Sequence, residues 1–105
     1  MAYSLRIVLV ETSHPGNIGA SARAMKTMGF DDLVLVAPGE FPSAEATARA
    51  SGADELLKRA RVVSSLSDAI ADCAFVAGAS ARSRSLAWPT VDPRSCAATL
   101  HERLA

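Results

Sequence analysis

The stretch ETSHPGNIGASARAMKTMGF, residues 11–30, carries a permanent cation, Arg23, behind two positions with almost no side chain, Gly19 and Ala20. If a helix starts here, Asn17 is a good N-cap, because its side-chain oxygen can accept an orphan N–H of the first turn. Helical side chains lean toward the N-terminus, so Arg23 should lie back over Gly19 and Ala20. Its guanidinium then has a clear track to a helix start that already favours anions. A planar, multi-donor cation in that place suits a phosphate or an oxygen developing negative charge. The competing reading is a solvated surface arginine beside a small-residue track made for helix packing.

A second stretch, GASARSRSLAWPTVDPR, residues 78–94, opens on small residues that let a ligand approach backbone amides and carbonyls. Arg82, Arg84 and Arg94 follow, with one aromatic, Trp88, and one acid, Asp92. Arginine beside an aromatic can hold phosphates while stacking a base. A solvated loop whose tryptophan plugs the surface explains the same residues equally well. Glu11 could be a general base by position or a partner for a nearby arginine; the second role is preferred, since nothing apolar around it would raise its pKa. His14 and His101 carry no expected role.

These residues need a scaffold. LRIVLV at 5–10 and LVLV at 33–36 are aliphatic runs that read as strands buried on both faces. Between them, Ile18, Ala22, Met25 and Met28 recur at helical spacing over 17–28, and Gly29 stands where a C-cap glycine belongs. Short helices are expected at 43–50 and 54–59, a weaker third strand at 61–64, and a short helix capped by Ser67 with Asp68. AFVAGA at 74–79 reads as a fourth strand, and a last helix as starting at Ser95. Alternation of this kind means an α/β layer with a mainly parallel sheet and flanking helices. Ligands of such sheets bind beyond the carboxyl ends of the strands, so 11–19 and 80–94 should share one functional edge.

Composition narrows the classes. The chain has 105 residues, half of them hydrophobic and 21% charged, an ordinary globular balance for one domain over 1–105. Eleven basic side chains offset eleven acidic ones, so any nucleic-acid role must rest on local clusters. Cys73 and Cys96 form no CxxC and have no nearby histidine, which leaves metal and disulfide readings unsupported and fits a reducing cytoplasm. The first apolar run is too short for a membrane span or a secretory signal. The glycines at 16 and 19 do not make GxGxxG, and no acid ends the second strand, which weakens a dinucleotide-binding reading.

Taken together, LRIVLVETSHPGNIGASARAMKTMGF, LVLV and AGASARSRSLAWPTVDPR closely resemble the start of the SpoU-type RNA 2′-O-ribose methyltransferases of the SPOUT superfamily. The family motif Asn-x-Gly-x-x-x-Arg falls on Asn17, Gly19 and Arg23. The resemblance implies methyl transfer from S-adenosylmethionine to a ribose 2′-hydroxyl of tRNA, at an anticodon-loop cytidine or uridine, by a homodimer with no metal. It implies that Arg23 acts on the target ribose or its phosphate with support from Asn17. It further implies that Ala79, Ser80 and Ala81 line the cofactor pocket, and that Arg82 and Arg84 sit at the RNA-facing rim. The family's second and third motifs do not occur before the chain stops at HERLA. The expectation is therefore the N-terminal half of an α/β-knot domain, without the knot and inactive by itself. A non-catalytic α/β module that binds RNA or a nucleotide is the alternative.

Overall fold

The computed structural model describes residues 5–79 and 92–104. It forms two compact units, Met1–Asp72 and Cys73–Ala105. In the first, β1 (Arg6–Val10), α1 (Pro15–Met28), β2 (Asp32–Val36), α2 (Ala44–Ala50), α3 (Asp54–Arg59), β3 (Arg61–Val63) and α4 (Leu66–Ile70) follow one another. The three strands make one parallel sheet in the order β1-β2-β3, with Val10 opposite Val36 and Val36 opposite Val63.

Period-two alternation sends the strand side chains to two different cores. Leu33 and Leu35 of β2 join Ile18, Ala22 and Met25 of α1 and the apolar faces of α2 and α3. Val34 and Val36 point the other way, against Ala69 of α4. Central β2 is thus buried on both faces, as its unbroken aliphatic run demands. The edge strand β1 departs from that expectation: it is only half-buried, and Val10 is 49% exposed.

Helix α1 starts three residues earlier than Asn17 as its cap would set it. Pro15 holds the first helical position, where its missing N–H costs nothing and its fixed φ is already helical. A residue before proline is pushed to extended backbone, and His14 takes that shape (φ −104°, ψ 113°) as the N-cap, without a side-chain cap bond. Asn17 is therefore the third helical residue, not the cap; its N–H donates to the His14 carbonyl at 3.0 Å. The far end follows the sequence, with Gly29 left-handed at φ 83°.

Smaller boundaries moved for similar reasons. Ser65, not Ser67, caps α4, its hydroxyl accepting from the Asp68 N–H at 3.2 Å. In the second unit, α5 spans Pro93–Leu104 and again begins at a proline; Asp92 Oδ1 accepts the Ser95 N–H at 2.7 Å. The expected strand at 74–79 is not formed. Those residues are irregular, belong to no ladder among the described residues, and leave Val76 53% exposed. An apolar run becomes a strand only where a partner strand takes its N–H and C=O groups. Arg103 lies over the Phe75 ring at 5.0 Å within this unit.

Candidate active-site edge

At the carboxyl end of the sheet both ladders run one residue past their strands. Glu11 N–H donates to the Val36 carbonyl at 2.8 Å, and Ala37 N–H to the Val63 carbonyl at 2.9 Å. Both residues then turn left-handed, at φ 52° and 44°, so the chain leaves the sheet sharply at two adjacent corners. Non-glycine residues hold this conformation only where their surroundings over-determine it, here through the ladder bonds. Gly39 N–H donates to the Thr12 carbonyl at 3.0 Å and ties the two corner loops together. Helix α1 rises directly from the first corner.

Arg23 is exposed on α1 and its guanidinium makes no ion pair among the described residues. The bare track expected in front of it is not bare. Gly19 is buried against α2: a Cβ there would collide with the Ala46 carbonyl oxygen and stand 2.9 Å from Arg49 Cβ. Gly16 is covered in turn, since a Cβ on it would lie 2.9 Å from Glu45 Oε2 and 3.6 Å from Arg49 Cγ. The glycines therefore serve close helix packing, and α2 fills the space above them. Ala20, by contrast, is exposed and leaves Arg23 an open side. Asn17 is exposed as well. Arg49 escaped the sequence reading, because nothing in ATARASGA signals that its side chain will lie on α1.

Glu11 is exposed and forms no ion pair among the described residues, and the loop arginines that could partner it, Arg82 and Arg84, lie outside them. Ala79 is exposed on irregular backbone, and a Cβ on neighbouring Gly78 would meet nothing within 4 Å. Ser80, Ala81, Arg82, Arg84 and Trp88 lie outside the described residues, so the expected shared edge is described on the α1 side alone.

Ion pairs gather at the opposite, amino-terminal edge. Arg6 Nε donates to Asp32 Oδ2 at 3.0 Å, and its Nη1 donates to Asp72 Oδ1 at 2.6 Å and to the Ala69 carbonyl at 2.9 Å. Arg61 reaches Asp32 Oδ1 at 3.0 Å. Partial burial pushes the Asp32 carboxyl up, but the hydrogen bonds from Arg6 and Arg61 outweigh it and hold the group below its ordinary value. The Arg6 hydrogen bond lowers Asp72 likewise. These bonds fasten β1, β2, β3 and the end of α4 together and leave no cation free for a substrate. An open recess of about 270 Å³, lined by Lys26, Phe30, Leu56 and Arg59 among others, lies at the carboxyl end of α1, away from the corners.

Residues 4–99 match the model of the SpoU rRNA Methylase family. The chain belongs to that family. The tRNA (cytidine/uridine/adenosine-2′-O-)-methyltransferase TrmJ of Pseudomonas aeruginosa is 57% identical over 100 residues, covering 95% of this chain and 39% of the relative. The tRNA (cytidine/uridine-2′-O-)-methyltransferase TrmJ of Sodalis glossinidius is 54% identical over 96 residues, covering 91% and 38%. Among solved structures, TrmJ of Z. mobilis ZM4 superposes with a TM-score of 0.88 at 43% identity, covering 96% of this chain and 45% of that one. A methylase family protein of Haemophilus influenzae gives 0.82 at 49% identity, covering 90% and 40%. The chain thus spans about two fifths of the curated relatives it matches, and the SpoU likeness carried by its motifs holds across nearly its whole length. Among the described residues no group of side chains could hold a metal ion, and no helix is long and apolar enough to cross a membrane.

Proposed function

We propose that this chain contributes the substrate-arginine side of a tRNA 2′-O-ribose methyltransferase that acts on an anticodon-loop cytidine or uridine. The observation that carries the reading is Arg23: an exposed arginine without an ion-pair partner, on the helix that leaves the corner at Glu11. Membership of the SpoU family and the names of the relatives support the reaction class. The reading includes a homodimeric, cytoplasmic enzyme.

In this reaction the 2′-hydroxyl gives its proton to solvent as its oxygen takes the methyl group, with S-adenosylhomocysteine as the by-product. An arginine is a permanent cation and a poor acceptor for that proton. Arg23 instead holds the phosphate beside the target ribose and stabilises the charge that develops on the oxygen. Asn17, six residues earlier on α1, supports it from the exposed first turn. S-adenosylmethionine supplies an electrophilic methyl group when bound, and the exposed backbone at Gly78–Ala79 is assigned to one wall of its pocket. In the same reading Ser80 and Ala81 bind the cofactor, and Arg82 and Arg84 bind the RNA. Holding the oxygen in line with the methyl group supplies a large part of the rate gain.

The test is incubation of the full-length protein with an unmodified tRNA transcript and methyl-labelled S-adenosylmethionine, followed by nuclease mapping. A 2′-O-methylated anticodon-loop pyrimidine is the expected product. Methylation on a base, or tRNA binding with no label transferred, would overturn the reading; the second outcome is that of a binding module.

A further inference from the structure

We propose that Arg49, on α2, is a second contact to the RNA sugar–phosphate backbone, acting beside Arg23. The inference rests on the methyltransferase reading of α1 and assigns a substrate-binding residue outside the family motif.

The argument begins with packing. Because Gly16 and Gly19 lack a Cβ, α2 comes close enough for the Arg49 side chain to lie along the first turns of α1. A Cβ on Gly19 would stand 2.9 Å from Arg49 Cβ, and one on Gly16 would stand 3.6 Å from its Cγ and 3.8 Å from its Cζ. The aliphatic stem thus covers the glycines while the guanidinium is carried toward the start of α1, the usual division of labour for a long cationic side chain at a surface.

Arg23 shares that stripe. It follows Gly16 by seven residues, two turns and about 10 Å along the axis, and its side chain leans back toward the start of the helix. Two arginines, one from each helix, therefore lie along one stripe of the α1–α2 surface. Both are exposed, and neither forms an ion pair or side-chain hydrogen bond among the described residues. The other arginines of the sheet unit, Arg6, Arg59 and Arg61, are each paired with an aspartate. Glu45 opposes the proposal in part, since its Oε2 would lie 2.9 Å from a Cβ on Gly16. No ion pair joins it to Arg49, which leaves two cations against one acid along that stripe. In a chain with no net charge, such a local excess is what a polyanion would meet. Planar guanidinium forks suit phosphate oxygens.

The experiment uses the full-length enzyme with Arg49→Met, which keeps the stem over the glycines, and Glu45→Gln. The slope of log affinity for tRNA against log salt should flatten by about 0.7–1 in Arg49→Met, and the dissociation constant rise roughly 5- to 10-fold at low salt. The loss should appear in KM for tRNA more than in kcat, with S-adenosylhomocysteine affinity and melting temperature unchanged. Glu45→Gln should tighten tRNA binding. Unchanged affinity and slope in Arg49→Met, in an enzyme that still needs Arg23, would reduce Arg49 to a packing cover. Active Arg23→Ala enzyme would instead remove the methyltransferase role of Arg23, whatever Arg49 does.

Discussion

Gly19 of α1 faces the carbonyl oxygen of Ala46 on α2 with no room for a single added methyl group. The contact explains why the motif glycine two residues after Asn17 is needed on structural grounds alone. It also separates packing on the glycine stripe from the chemistry proposed for the exposed arginine on the same helix.

Gly19→Ala should cost about 1–3 kcal/mol of stability through overpacking, since backbone must move to admit the Cβ. Gly29→Ala meets open space and should cost only about 1 kcal/mol, from the left-handed φ of 83°. Chemical denaturation of both variants checks the ordering. Equal losses would mean that the α1–α2 contact is looser than described.

Arg23→Ala should lower kcat/KM for tRNA methylation by roughly 10²- to 10³-fold, the scale of losing one donor to a developing oxyanion. Its melting temperature should not move, because the side chain is exposed and joins no ion pair. Label transfer from S-adenosylmethionine and a thermal melt read the two effects separately.

Asn17→Ala distinguishes a cap from a site residue. A lost N-cap typically costs about 1 kcal/mol. Here Asn17 is the exposed third residue of a helix begun by Pro15, so its replacement should change stability by less than about 0.5 kcal/mol. Any large defect should appear in methyl transfer instead.

The Arg6–Asp32 pair sets an acid limit on stability. Asp32 is held below its ordinary pKa in the folded state, so the stabilisation is present at neutral pH and above the unfolded carboxyl value of about 3.9. It is lost as pH falls through the folded value. Asp32→Asn should therefore be less stable than the parent by about 1–2 kcal/mol near neutrality, with the difference closing in acid. Denaturation midpoints across that pH range decide it; an offset that persists in acid would point to packing rather than charge.

Much of this molecule is local and was legible in its residues. Aliphatic runs marked β1 and β2, Gly29 stopped α1, and Asp54–Arg59 formed the expected helix, because propensity, periodicity and capping act within a few residues. The motif Asn17–Gly19–Arg23, joined to the ETSHPGN and SARSRSLAWP segments, indicated the SpoU family. Other features depend on partners distant in the chain. Whether 74–79 becomes a strand depends on a ladder partner, and how far β1 is buried depends on its place at the sheet edge. Arg6, Asp32, Arg61 and Asp72 are joined only because parallel strands start at one edge beside the end of α4. Tertiary structure alone laid Arg49 across Gly16 and Gly19, since a contact between helices about thirty residues apart leaves no periodic mark in either one. Backbone preference is decided by neighbours in sequence, whereas the surroundings of a charge are decided by neighbours in space.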